Sequence, residues 1–461
     1  MKKICILLMA CQAMVACNKP IEAQEQTTLE GKEVTVFQNV NVITMESDQV
    51  LGGQDVVIVD GVIEFISPSA EYPNHAQIID GTDQYLLPGL AEMHAHIPTD
   101  QDQELVEETL FLYLAGGVTT IRGMLGHPSH LTLRVQVNEG KVLGPHIYTS
   151  GPSINGNSAP DEETVSNMVR QQKEAGYDFL KIHPGLTMEV FDALVRTANE
   201  VDITFSGHVS RAVGIRHAIA SRYASIDHLD QYVEGLVPEE AAVDPQDNGF
   251  FGMNFTDLAD ESLLGELIQS SKEQGVWVVP TQCLAERWAG PVSPEEMAAS
   301  PEMKFMPAST LERWVQSKKQ MQGSNYDPQK AQRFIELRRR MIKAMNDGGM
   351  GILLGSDAPQ VFNVPGFAIQ HEIEMYVAAG LTPYEALITG TVNPAKFFGT
   401  SKERGMVKEG YQADLILVKG NPLEDIKNLS QREGVMIRGE WLSKNVIEER
   451  LAQLAAKYAG P

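Results

Sequence analysis

Cysteine is scarce. Four occur in 461 residues, and Cys5, Cys11 and Cys17 fall near the start, leaving Cys283 alone in the body of the chain. A single thiol there excludes an internal disulfide framework and a cysteine metal cage. Any metal must therefore rest on histidine, carboxylate or a modified lysine. Basic residues are also few: 37 Lys and Arg stand against 61 Asp and Glu, a formal net charge of -24. That balance argues against nucleic acid and anionic membrane surfaces as partners and fits a well-solubilised acidic protein. No strong internal repeat is visible. At the N-terminus, Lys2 and Lys3 precede a largely apolar run from Ile4 to Ala16, too short to cross a bilayer but suited to a bacterial export signal. It ends Met14-Val15-Ala16-Cys17, the pattern of a lipoprotein signal, so Cys17 is expected to carry lipid. Ordinary cleavage to a free periplasmic protein is the alternative. Residues 1–17 are thus read as a signal peptide and 18–30 as a polar tether. The membrane is touched only through the lipid anchor.

What is present is an ordinary globular composition, 43% apolar and 21% charged, on a chain long enough for one large α/β barrel with an appendage. Short β-rich runs at 34–37, 40–44, 55–59, 62–66 and 77–80 are separated by turn residues such as Asp60-Gly61. The same texture returns at 413–418 and 435–437, before a tight turn at Arg438-Gly439-Glu440. Residues 31–86 and 405–445 are therefore expected to build one small β-sandwich from both chain ends, followed by a C-terminal helix at 446–461. Between them, strand and helix signals alternate. The strands are read at 90–96, 118–123, 146–150, 179–183, 204–208, 225–228, 276–280 and 352–357, with helical patterns between, for example at 162–175 and 330–345. Eight such units predict a parallel (β/α)8 TIM barrel over 87–404. The stretch from 284 to 327, rich in Met, Pro and Trp, follows the seventh strand and is read as a lid over the barrel mouth.

The segment LPGLAEMHAHIP ends the first barrel strand with His94 and His96. Residues i and i+2 of a strand share a face, so both rings can converge on one ion. Other polar residues stand at the ends of later strands: Lys181 in DFLKIHPG, His208 in ITFSGHVS, His228 in ASIDHLDQ and Asp357 in GILLGSDAP. Barrel enzymes place their chemistry at that rim. A lysine in a barrel interior is costly as an ammonium and its pKa falls on burial. The neutral amine can take up carbon dioxide to give a carbamate with one oxygen for each of two metals. Either Lys181 is so modified, or the site is mononuclear and Lys181 serves elsewhere.

Together these residues resemble the amidohydrolase superfamily, in its subgroup with a binuclear centre and a carboxylated lysine. GVIEFISP, IIDGTDQYLLPGLAEMHAH, GVTTIRGM, GSDAP, GLTPYEALITGTVNPAKFFG and GMVKEGYQADLILVKGNP look like its landmarks, and the likeness spans nearly the whole mature chain. Imidazolonepropionase-like members, which include metal-dependent dipeptidases, are the nearest in kind. The resemblance implies that His94, His96 and Asp357 hold one metal and His208 and His228 a second, with carboxylated Lys181 bridging. It implies two divalent ions, zinc by ligand chemistry, and a bridging hydroxide that attacks the carbonyl. It also implies that Asp357 carries the proton to the leaving amine. The expected reaction is hydrolysis of an amide bond in a small molecule such as a dipeptide or N-acyl amino acid. A lactone, ester or cyclic amide is the alternative, and a non-catalytic binding lipoprotein a more distant one.

Some positions depart from the family pattern. A Gly-His-Gly-type segment is replaced by SGPSINGNSAP, and Ser210 stands where some relatives carry a carbonyl-polarising tyrosine. Tyr232 is a candidate substitute. Arg122 is a candidate for a substrate carboxylate, with a salt bridge to the barrel wall as the alternative. His183 shares the face of Lys181 and is a candidate pocket residue. His371-Glu372 is read as structural. A homo-oligomer is compatible with the sequence.

Overall fold

The computed structural model describes Leu29 and residues 31–459. The signal at 1–17, Cys17 and the tether other than Leu29 lie outside the described residues. Leu29 is buried against Val34, Val36, Val57 and Val59, so this apolar residue belongs to the packed body and not to the polar tether that 18–30 was expected to form. Among the described residues no helix is long and apolar enough to cross a membrane.

The chain opens with β1 (Val34–Ile43), β2 (Val50–Val59), β3 (Val62–Ser67), β4 (Gln77–Asp80) and β5 (Tyr85–Pro88). Two runs expected as separate strands are one: β1 continues through irregular pairing between Phe37 and Val40. Asn39 sits there at φ 53 and its N–H is taken by Asp55 Oδ1 at 2.9 Å. Such a bulge lets a strand bend without ending. Seven strands with parallel pairing follow: β6 (Leu90–Ala95), β7 (Val118–Gly123), β8 (His146–Thr149), β9 (Leu180–Ile182), β10 (Phe205–Gly207), β11 (Ser225–Asp227) and β12 (Trp277–Val279). Last come β13 (Leu415–Val418), β14 (Arg432–Ile437) and β15 (Glu440–Ser443).

The two chain ends do meet, in one hydrogen-bonded sheet of order β15-β14-β13-β5-β1-β2-β3 with β4 beside β1. The seam is β5, absent from the sequence expectation, which pairs with β1 on one side and β13 on the other. Its two arms share a core: Phe37, Val42 and Leu86 pack with Leu415, Leu417 and Met436, and the Phe37 and Trp441 rings meet edge to face at 5.2 Å.

These strands form two parallel sheets, β6-β7-β8 and β9-β10-β11-β12. Single pairs join them, Ser150 with Phe179 and Ile154 with Ile182. The expected eighth strand, 352–357, is a correction. It is not a regular strand; Ile352 pairs with Val278 and Ala358 with Ala95, and Met93 N–H donates to the Leu354 carbonyl at 2.8 Å. Asp357 stands at the end of this segment at φ 62.

The covering helices start and stop where side-chain chemistry dictates. Glu162–Ala175 is capped by Asp161, whose Oδ1 accepts the Thr164 N–H at 2.8 Å, and Gly176 closes it at φ 85. Its Val165 and Val169, one turn apart, bury against the barrel. The 284–327 segment is mostly helical, including Pro294–Ala298 and Ala308–Met321. Its Met303, Phe305, Met306 and Trp314 bury against Val361, Phe362, Val364 and Leu454 of the C-terminal helix Lys444–Tyr458. Its apolar side chains are thus satisfied by packing on the body of the protein.

Candidate metal centre

Strand β6 is buried along its whole length. Glu92, His94 and His96 alternate onto one face. Glu92 staples that strand to the Asp357 segment: Oε1 accepts the N–H of His94 at 3.0 Å and of Ser356 at 2.8 Å, and Oε2 accepts the Ser356 hydroxyl at 2.5 Å. Burial pushes the Glu92 carboxyl up to about 8, against the pull of the Ser356 hydrogen bonds.

The stapled turn delivers Asp357 to the histidines. Its Oδ1 lies 2.6 Å from His96 Nε2 and 3.5 Å from His94 Nε2, and Oδ2 lies 3.9 Å from His228 Nδ1. Burial opposes ionisation of Asp357, but the field of His94, His96 and Lys181 outweighs it and holds the carboxyl below its usual value. His228 reaches the site because its backbone turns left-handed, φ 63, immediately after β11. Its ring centroid is 4.6 Å from those of both His94 and His208, and Nδ1 meets Thr281 Oγ1 at 2.8 Å. Burial, followed by the fields of His208, His94 and Lys181, keeps the His228 imidazole well below its usual pKa. Burial and Lys181 bring His94 down to about 4. Both are therefore neutral at pH 7, the form that ligates metal. Ligand atoms of His94, His228 and Asp357 lie within 4.8 Å of one another, all buried.

His208 joins from β10's end. Asp230 Oδ2 contacts its Nδ1 at 3.1 Å and also accepts the Val209 N–H at 3.2 Å. With Nδ1 donating to the carboxylate, Nε2 is left with its lone pair free, the usual outer-shell arrangement around a ligating histidine. Lys181 is fully buried, and its amine is pushed down by desolvation against the opposing charge of Asp227. Its passage requires Gly207: this residue stands at φ 126, and a Cβ there would lie 2.9 Å from Lys181 Cδ and 2.3 Å from the Ile182 carbonyl oxygen.

Asp227 was not foreseen from the sequence. Its Oδ2 lies 3.1 Å from Lys181 Nζ and 3.2 Å from His94 Nδ1, the latter without good hydrogen-bond alignment. Its Oδ1 meets Arg122 Nη2 at 3.3 Å and Ser225 Oγ at 3.1 Å. This corrects Arg122. The guanidinium is wholly buried, donates to the Met93 carbonyl at 2.7 Å and sits over the Phe179 and Phe397 rings. It braces the barrel wall and is closed to a substrate carboxylate. Tyr232 is corrected too. Its hydroxyl pairs with Ser271 Oγ at 2.9 Å on the helix Leu264–Gln274, and the side chain is fully buried there. Ser210 Oγ accepts the Leu186 N–H at 3.0 Å, so it is no stand-in for a polarising tyrosine.

His183 does stand at the site. Its ring is 5.3 Å from that of His208, and Nδ1 meets Ser153 Oγ at 2.7 Å. Burial and the Lys181 charge push it down to about 2. His371 and Glu372 are structural: His371 Nε2 meets Glu302 Oε1 at 3.0 Å, and Glu372 accepts the N–H groups of Gln282 and Cys283. Over the histidines lies Phe251, stacked on the His228 ring at 5.0 Å and near the His208 ring at 6.1 Å. Neutral imidazoles with a carboxylate, buried and convergent, suit a divalent ion with nitrogen and oxygen ligands.

A site of this kind, at the ends of parallel strands, is that of a metal-assisted hydrolase. The chain belongs to the amidohydrolase family, whose sequence profile matches residues 85–442, and it is a hydrolase acting on carbon–nitrogen bonds. Ochratoxinase of Aspergillus niger is 22% identical, with 82% of this chain and 80% of that one covered. Among solved structures, a bottromycin amidohydrolase superposes with TM-score 0.71 at 23% identity over 96% of this chain and 94% of that one. A Xaa-Pro dipeptidase does so with TM-score 0.64 at 22% identity, over 89% and 100%.

Proposed function

We propose that this protein hydrolyses an amide bond in a small substrate such as a dipeptide or N-acyl amino acid. In this reading the single pairs flanking 352–358 complete a closed (β/α)8 barrel. His94, His96, Lys181, His208, His228 and Asp357 are the residues that would hold two divalent ions, zinc by ligand type, with Lys181 serving as a ligand once carboxylated. The observation that carries the reading is the buried convergence of His94, His228 and Asp357. When bound, such ions polarise a carbonyl and acidify water to a pKa of about 7.

The protein's own groups do the rest. Asp357, anionic and in contact with His96 and His94, takes a proton from the attacking water and passes it to the leaving nitrogen. The carbon–oxygen bond forms and the carbon–nitrogen bond breaks, so an acid and an amine leave. Glu92 holds the turn that aims Asp357, and Asp230 holds His208. Phe251 limits water at the His208 side. Export, with lipid on Cys17, belongs to the same proposal and is tested by palmitate labelling of wild type and Cys17→Ser in a bacterial host.

The test is a screen of dipeptides, N-acyl amino acids and lactones on protein loaded with zinc in bicarbonate. Release of amine from amides supports the reading. Cleavage of lactones alone overturns the amide assignment.

A further inference from the structure

Two neighbouring residues bury acceptor oxygens that have no donor. Glu234 begins the short helical turn Glu234–Leu236. Its Oε1 accepts the Gln231 amide at 3.0 Å and the Asn248 amide, while its buried Oε2 makes no hydrogen bond. Asn248 is 3% exposed, and its Oδ1 makes none either. Because Asn248 Nδ2 is spent on Glu234, Oδ1, on the same carbon, stands beside that carboxylate. Buried acceptors left in this way are costly and mark a bound water or ion. Charge points to an ion. Burial and the Asp230 carboxylate hold the Glu234 carboxyl up at about 7. The Arg211 charge reaches it, but Arg211 Nη1 donates to Gln246 Oε1 at 3.1 Å. Asp230 is engaged through Oδ2 with His208 Nδ1 and the Val209 N–H.

Asn248 opens the turn that carries Phe251. Gly249 at φ 73, Phe251 at φ 46 and Gly252 at φ 83 wind the chain left-handed beside the carboxylate. A Cβ on Gly252 would lie 2.8 Å from Glu234 Oε2. Left-handed backbone is unfavourable for an aromatic residue and persists where surrounding structure enforces it. The same turn lays the Phe251 ring over His228 and His208. A cavity of about 850 Å³ opens on Glu234, and its wall also carries Glu239, Glu240 and Asp260. Of its basic residues, Arg216 is paired with Glu266 and His217 with Asp192, and Arg211 is bonded to Gln246. A small cation therefore approaches along an acidic wall.

We propose that Glu234 Oε2 and Asn248 Oδ1 hold a hard divalent cation, calcium by its all-oxygen donors, which ties the turn bearing Phe251 to the turn bearing Glu234. The site is separate from the histidine centre and does not depend on the reaction class. Calcium takes about 6–8 oxygens, so water from the cavity completes the set. With so few protein ligands the affinity is weak, on the order of 10⁻⁴–10⁻³ M. The test titrates calcium chloride into zinc-loaded protein by calorimetry, with thermal melting beside it against sodium chloride of equal ionic strength. About one calcium per chain and a higher melting point are expected. Glu234→Gln should weaken binding about ten-fold or more, since affinity follows ligand charge. Asn248→Asp adds a charged ligand, so it should tighten calcium binding by about the same factor and melt lower than wild type in calcium-free buffer. It keeps the test open if Glu234→Gln fails to fold. No calcium heat and no melting shift, the outcome of an ordered water between the two oxygens, overturns the inference. Equal binding by Glu234→Gln, the outcome of adventitious calcium on an acidic surface, overturns it too, as does Asn248→Asp binding no tighter than wild type.

Discussion

In metal-free protein with Lys181 uncarboxylated, Asp227→Asn removes the carboxylate that pairs with two fully buried basic side chains. Arg122 and Lys181 are both wholly inaccessible, at 3.3 Å and 3.1 Å from its oxygens. Asparagine keeps the shape and loses the charge, so both desolvated basic groups lose their directly paired anion. Breaking a buried pair in this way costs about 3–5 kcal/mol. Unfolding entropy of roughly 2.1 cal/mol/K per residue gives a chain of 461 residues about 1 kcal/mol/K. The metal-free protein should therefore melt about 3–5 °C lower by scanning fluorimetry in chelator. Adding Lys181→Met to Asp227→Asn should return part of the loss, because one orphaned cation is gone, so the pair is non-additive by about 1 kcal/mol or more. A melting point within about 1 °C of wild type, or strict additivity, refutes the claim that this carboxylate neutralises the barrel interior.

Asp357→Asn should lower kcat by about 100-fold or more, the range of a lost general acid–base group, with less loss of metal than of turnover; full activity at full metal content contradicts its role. Tyr232→Phe removes a hydroxyl bonded only to Ser271; it should cost about 1 kcal/mol of stability and leave kcat/KM unchanged for every substrate. Glu302, which burial alone would raise, is brought down to about 2 by His371 and Arg287, from 4.5. Its folded pKa lies below the unfolded one, so its stabilisation is complete above pH 4.5 and is lost as pH falls towards 2. Solvent exposure of its partner His371 discounts it to about 1–2 kcal/mol. The stability gap between wild type and Glu302→Gln should accordingly close over that window in acid melts, and a constant gap refutes the assignment.

The sequence was most legible where pattern is local. Residues 118–123 and 162–175 were expected as strand and helix and are found with those bounds, because an apolar β-branched run and a capped amphipathic stretch carry their own signals. The site histidines were legible through their common place at strand ends. Asp227 was not, since the cations that need it come from β7 and β9, far away in the chain. Arg122 misled for the same reason. Tyr232 misled because left-handed residues at His228, Leu229 and Gln231 turn the chain between the strand end and the tyrosine, whose hydroxyl meets Ser271. The eighth strand is reduced to isolated pairs at Ile352 and Ala358, which no local pattern announces. Phe251 had no sequence signal at all; its importance arises from a twist next to two glycines.

The central claim is that His94, His96, Lys181, His208, His228 and Asp357 form one two-ion hydrolytic centre. Elemental analysis of the active, purified protein tests it most directly. About two divalent ions per chain, the count of a bridged site, should be found in wild type, falling sharply in His94→Asn and His228→Asn together with activity. Full activity in protein that contains no metal would contradict the account.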